Sequence, residues 1–132
     1  MKNQNEYKLQ VSCVSWFRYQ YSKYYYNLFQ ITNSNELSFL DKSKAAKNMN
    51  KMKKSGLLVG CPDLFLSVPA DKFNTSKHNE FYHGFYIEMK FGKNRQSENQ
   101  KKFEKNIVKY GYKYSLCYSL DEFMNLINNY LK

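Results

Sequence analysis

The chain has 132 residues, enough for one domain with a sizeable core, and a single domain over 1–132 is expected. No apolar run approaches the ~20 residues of a membrane span, and the polar start Met1 to Glu6 lacks a signal-peptide pattern. A soluble protein inside the cell, cytoplasmic or associated with nucleic acid, is therefore expected, and its formal net charge of +10 points to a polyanionic partner unless AT-rich coding alone raised its Lys and Asn content.

Along the chain, Leu9, Cys13, Trp16, Phe17 and Tyr21 recur at helical spacing and predict a helix from about Glu6 to Tyr21. The β-favouring stretch Tyr24 to Ile31 reads as a first strand, broken at Asn33-Ser34-Asn35. A second helix is expected to start near Asp41 or Ser43, either of which can cap it, and to end at Gly56. Ala45, Ala46, Met49 and Met52 form one side of it, and Lys44, Lys47, Lys51 and Lys54 the other. That lysine side is either an ordinary solvated face or a set of phosphate contacts.

Two short apolar runs follow. Asp63 opens Leu64-Phe65-Leu66-Ser67-Val68, and Glu88 and Lys90 end Gly84-Phe85-Tyr86-Ile87-Glu88-Met89-Lys90. Alternate strand residues share a face, so Glu88 and Lys90 point the same way. Paired as an antiparallel hairpin, the runs set Asp63 beside Glu88 and Lys90. Leu64, Leu66, Val68, Phe85, Ile87 and Met89 then form a wholly apolar opposite face. The connection from Pro69 to His83 is polar and long, and reads as a mobile loop. His78 and His83 fall in it as exposed loop histidines rather than ligands.

Ser97 to Gln100 is an S-x-x-Q capping box, opening a helix with Phe103, Ile107 and Tyr110 that ends at Gly111. A strand over Tyr112 to Cys117 and a last helix capped by Ser119, burying Phe123, Leu126, Ile127 and Tyr130, complete the chain. The order α-β-α-β-β-α-β-α predicts an α/β layered domain with a mixed sheet. Cys13, Cys61 and Cys117 have no metal-ligand spacing and read as free thiols. No histidine stands where it would make Cys61 a nucleophile.

Two acids and a lysine on one sheet face suit phosphodiester hydrolysis. Asp63 and Glu88 can hold Mg²⁺ or Mn²⁺, and Lys90 can meet a water or a phosphate oxygen. The plainer alternative is an Asp63–Lys90 salt bridge. Gln100 at the next helix N-terminus either faces the site or serves its capping box.

Taken together, these segments resemble the virus-type replication-repair nuclease (VRR-NUC) domain, in its single-domain, phage-like form, within the PD-(D/E)xK nuclease superfamily. The likeness runs through Gln10-Val11, Trp16-Phe17, Leu28 to Asn33, Gly56 to Leu66, His83 to Lys90, Ser97 to Gln100 and Gly111-Tyr112. Asn33-Ser34-Asn35 departs from the family's usual Asn-Gly-Gly, and Cys61 from its small residue or Val. The resemblance implies a restriction-endonuclease-like core, a mixed sheet flanked by helices. It implies metal-dependent cleavage of DNA by a homodimer acting on branched DNA, such as four-way junctions. It assigns Asp63, Glu88 and the Met89 carbonyl to the metal and Lys90 to catalysis, and adds Gln100 and an acid on the first helix matched by Glu6. Glu6 equally suits the helix dipole. A nickase, an exonuclease and a non-catalytic DNA-binding module are the rival readings.

Overall fold

The computed structural model describes residues 4–32, 42–73 and 80–132. Its first helix, α1 (Gln4–Gln20), buries Glu6, Gln10, Cys13 and Phe17. That stripe has helical spacing, and its N-terminal end is polar, so one helix face begins at a carboxylate and ends in the core.

The expected strand from Tyr24 is shorter than its sequence suggests. Ser22–Asn27 forms a 3₁₀ segment, and β1 spans only Leu28–Gln30. The physical reason is the partner. β2 (Leu64–Leu66) matches Leu28 to Gln30, with Leu28 opposite Leu66. The ladder closes where Ser67 N–H donates to the Asn27 carbonyl at 2.8 Å and Asn27 Nδ2 donates to Ser67 Oγ at 3.1 Å. Before Asn27 no strand among the described residues pairs with the tyrosines. The tight turn sends Tyr24 against the core and leaves Tyr26 91% exposed.

The second helix, α2, runs Lys42–Lys54. Ser43 lies inside it rather than capping it, and Asp41 and Asn33-Ser34-Asn35 lie outside the described residues. Leu57 N–H closes its end by donating to the Met52 carbonyl at 2.8 Å. The helix buries no residue; Ala45, Met49 and Met52 are half-covered and Ala46 is exposed.

β2 pairs antiparallel with β5 (Phe85–Met89), Leu64 opposite Ile87 and Leu66 opposite Phe85. Between them lies a correction to the expected loop. β3 (Ala70–Asp71) and β4 (Phe81–Tyr82) form a two-stranded ribbon. Ala70 is buried and the Tyr82 ring lies against Tyr130, which gives this stem a reason to stay ordered. His78 lies outside the described residues; His83 is exposed, its ring edge-on to Tyr112.

α3 (Glu98–Lys109) leads into β6 (Lys113–Cys117), which pairs parallel with β5. The last helix, α4 (Leu120–Leu131), is capped by the Ser119 hydroxyl. The main sheet has the order β1-β2-β5-β6, so it is mixed and β5 is an inner strand. One face carries Leu64, Leu66, Phe85, Ile87 and Met89, all buried with Phe17 of α1 and Phe123 and Ile127 of α4. Burying each such side chain is worth about 1.5–3 kcal/mol. The opposite face holds Phe65, Tyr86 and Tyr112, with Phe103 of α3 edge-on to Tyr86. Tyr110, at the end of α3, is 61% exposed. Among the described residues no helix is long and apolar enough to cross a membrane.

Candidate active site

Asp63 stands immediately before β2, so the hairpin register carries it opposite Glu88. Asp63 is 2% exposed, Glu88 6% and Lys90 8%. Three ionisable side chains of types that belong on surfaces are therefore buried at one end of the sheet, where charges persist only with partners or ions. Asp63 Oδ2 accepts a 2.8 Å hydrogen bond from the Met89 amide, which orients the carboxylate. The Asp63 carbonyl accepts from Ile31 N–H at 2.9 Å, so the residue is also fixed from the β1 side. Lys90 N–H extends the parallel ladder to the Cys117 carbonyl at 2.9 Å, keeping Lys90 in strand geometry on the Glu88 face.

α1 delivers Glu6 to the same region. It is buried, and Asn94 Nδ2 lies 3.5 Å from Glu6 Oε1. Asn94 belongs to the segment after Lys90, and its carbonyl accepts from the Tyr118 hydroxyl at 2.8 Å. A carboxylate serving only the helix dipole needs no such cover, so burial favours an inward role for Glu6. Gln10, one turn on, is also buried, with its Nε2 3.5 Å from Gln30 Oε1.

The N-terminus of α3 is packed on the loop that leads to Asp63. A Cβ on Gly60 would stand 2.6 Å from the Asn99 carbonyl oxygen, and Gly60 has φ +95°. Only glycine permits both this conformation and this approach. Beside Asn99, Gln100 completes the capping box: its Oε1 accepts from Ser97 N–H at 2.8 Å, and its own N–H donates to Ser97 Oγ at 3.2 Å. The capping role expected of Gln100 is therefore in place. Its Nε2 is not part of the cap.

Cys61 is half-buried, and burial with the nearby Glu88 carboxylate raises its thiol above the usual cysteine range. That environment disfavours a thiolate. Lys47, Lys51 and Lys54 are exposed on α2. Among the described residues no three His, Cys, Asp or Glu side chains gather into a metal cage. Any ion here would rest on two carboxylates plus backbone oxygen and water.

One further residue of this face has no distinguishing signal in the sequence. Tyr114 of β6 pairs with Tyr86 in the parallel ladder, and its hydroxyl is buried. A tyrosine on a half-covered strand reads as core, and only the fold reveals where its oxygen lies.

A family model described as the VRR-NUC domain matches residues 4–121. A solved structure titled "VRR_NUC domain protein" superposes with a TM-score of 0.74 at 21% identity, over 99% of this chain and 91% of that one. At that identity the likeness speaks for the fold. No curated protein matches the chain.

Proposed function

The chain belongs to the VRR-NUC family, a family of nuclease-type DNA-processing domains, and from that premise we propose that it is a metal-dependent DNA endonuclease working as a homodimer on branched DNA. The observation that carries this reading is the buried Asp63–Glu88 pair, set opposite each other by the β2–β5 register with Lys90 on the same face.

The donor set fits Mg²⁺ or Mn²⁺. Asp63, Glu88 and the Met89 carbonyl offer hard oxygen atoms, and these ions favour one or two carboxylates with waters completing the shell. Bound there, the ion supplies Lewis acidity at the phosphate and eases deprotonation of water. The chain's own groups do the rest. The Met89 amide holds Asp63 in one orientation before any ligand arrives. The Lys90 ammonium meets the attacking water or a phosphate oxygen and stabilises charge as it develops at phosphorus. Glu6 orients water at the edge of the site, and Gln100 Nε2 is a donor toward the phosphate. The rings of Phe65, Tyr86 and Tyr112 form the apolar ground beside them.

The test is cleavage of labelled duplex, flap and four-way-junction DNA with Mg²⁺, Mn²⁺ or a chelator. Ion-dependent cutting by the wild type is expected, lost in Asp63→Asn. Lys90→Ala is expected to keep the ion and lose most cleavage. Full activity in either variant overturns the assignment, and cuts confined to one strand select the nickase reading.

A further inference from the structure

The site face holds a polar atom that none of these roles uses. The Tyr114 hydroxyl is buried and has no hydrogen-bond partner among the described residues. Buried polar groups are nearly always paired, and a phenylalanine would fill the same space without the cost. Tyr114 shares the face of its ladder neighbour Tyr86, and the next residue of β6 on that face, Leu116, stands beside Glu88. It is therefore on the side of the sheet that carries Glu88 and Lys90.

Its electrostatic surroundings identify what is missing. Burial chiefly, and then the carboxylates of Glu88, Glu104 and Asp63, push the phenol well above the usual tyrosine range. Gln96 lies close and pulls the other way. Yet Gln96 Nε2 donates to Glu104 Oε1 at 2.8 Å, and no bond of normal geometry reaches the Tyr114 oxygen. Tyr114 is thus a neutral hydroxyl among carboxylates. An anion would be repelled there, so the partner it awaits is not a phosphate. Water fits, because it accepts from the phenol and donates to the acids.

We propose that Tyr114 is a positioning residue that, with Glu104, holds a water against Glu88 and thereby orients that carboxylate toward the metal ion. The inference rests on the metal-site reading above. Partners that orient a ligand in this way typically contribute roughly 10–100-fold in metal affinity or activity.

The experiment is Mn²⁺ titration calorimetry, with a thermal melt of the metal-free protein, on the wild type, Tyr114→Phe, Glu104→Gln and the double variant. Tyr114→Phe is expected to weaken Mn²⁺ roughly 10-fold, with a metal-free melting temperature close to wild type, since the loss falls on the orientation of Glu88 and the ring still fills its place. Glu104→Gln is expected to weaken binding too, and the double variant to lose less than the two single losses combined, since both act through one water. Unchanged affinity in Tyr114→Phe overturns the proposal. So does a lowered melting temperature with unchanged affinity, which is the signature of a merely structural tyrosine. Calorimetry separates this inference from the nuclease reading: a wild type that binds Mn²⁺ through Asp63 yet cuts no DNA sinks that reading alone.

Discussion

The Met89 amide donates to Asp63 Oδ2 at 2.8 Å, joining residues 26 apart in sequence across the β2–β5 hairpin. This one bond makes the proposed metal ligand a structural part of the hairpin that positions it. Asp63→Asn and Asp63→Ala should therefore differ. Asparagine keeps an oxygen that can accept from Met89, whereas alanine leaves a buried amide unpaired at a cost of about 1–3 kcal/mol. Chemical denaturation is expected to show Asp63→Asn near wild type and Asp63→Ala clearly weakened, while cleavage is lost in both. Equal stability of the two variants would remove the structural role.

The capping box at α3 permits Gln100 to be tested for two roles separately. Ser97→Ala breaks the cap and is expected to cost about 1 kcal/mol in a melt, with cleavage little changed. Gln100→Glu keeps an oxygen for Ser97 N–H and removes the Nε2 donor. Stability is expected to hold while cleavage falls. Cleavage at the wild-type rate would confine Gln100 to the cap.

The lysines of α2 are exposed on a helix that buries no residue, and we propose that they contact phosphates. Replacing Lys47, Lys51 and Lys54 with Gln should leave the melting temperature alone and weaken DNA binding for all sequences alike. For duplex DNA the slope of log affinity against log salt is expected to flatten by about 0.9 for each phosphate that a lysine no longer neutralises, up to ~2.7 for three. An unchanged slope would return these lysines to solvent.

Light scattering is expected to give twice the 15.9 kDa of one chain, the mass of the proposed homodimer. Tyr25 and Tyr26, exposed and edge-on to each other with the Arg18 guanidinium over the Tyr25 ring, offer an aromatic surface for it. Tyr25→Ser with Tyr26→Ser is expected to shift the mass toward the monomer. The dimer should also place paired, symmetric nicks in a four-way junction, and product mapping checks their positions.

The juxtaposition of Asp63 with Glu88 was largely legible from strand alternation. Alternation put Leu64 with Leu66 and Phe85 with Ile87 on one face, which left Asp63 opposite either Glu88 or Lys90, and the observed pairing of Leu64 with Ile87 selects Glu88. The capping box at Ser97 was equally readable, since both of its bonds lie within one turn. Tyr24 to Tyr26 misled because β-propensity describes how a side chain suits a sheet and says nothing about whether a neighbouring strand is present. The Pro69 to His83 stem was hidden for a related reason: the contact of Tyr82 with Tyr130 is tertiary. Glu6 was accessible only through family resemblance, its burial depending on how α1 crosses the sheet. Tyr114 left no trace, because no local pattern marks an oxygen that lacks a partner.

β5 gains its shape from both neighbours, and one of them is made late. Glu88 sits on a strand held on one side by β2 and on the other by β6, where the Lys90 amide is fastened to the Cys117 carbonyl. A chain still on the ribosome carries Asp63, Glu88 and Lys90 before the residues of β6 have emerged. By then β1, β2, β5 and α1 are made, but β5 lacks its second neighbour and the apolar face lacks Phe123 and Ile127 of α4, so the arrangement is complete only when β6 and α4 have docked. On the proposed function, activity is thereby timed by synthesis itself: a copy truncated before β6 is expected to leave the nucleic acid around it uncut.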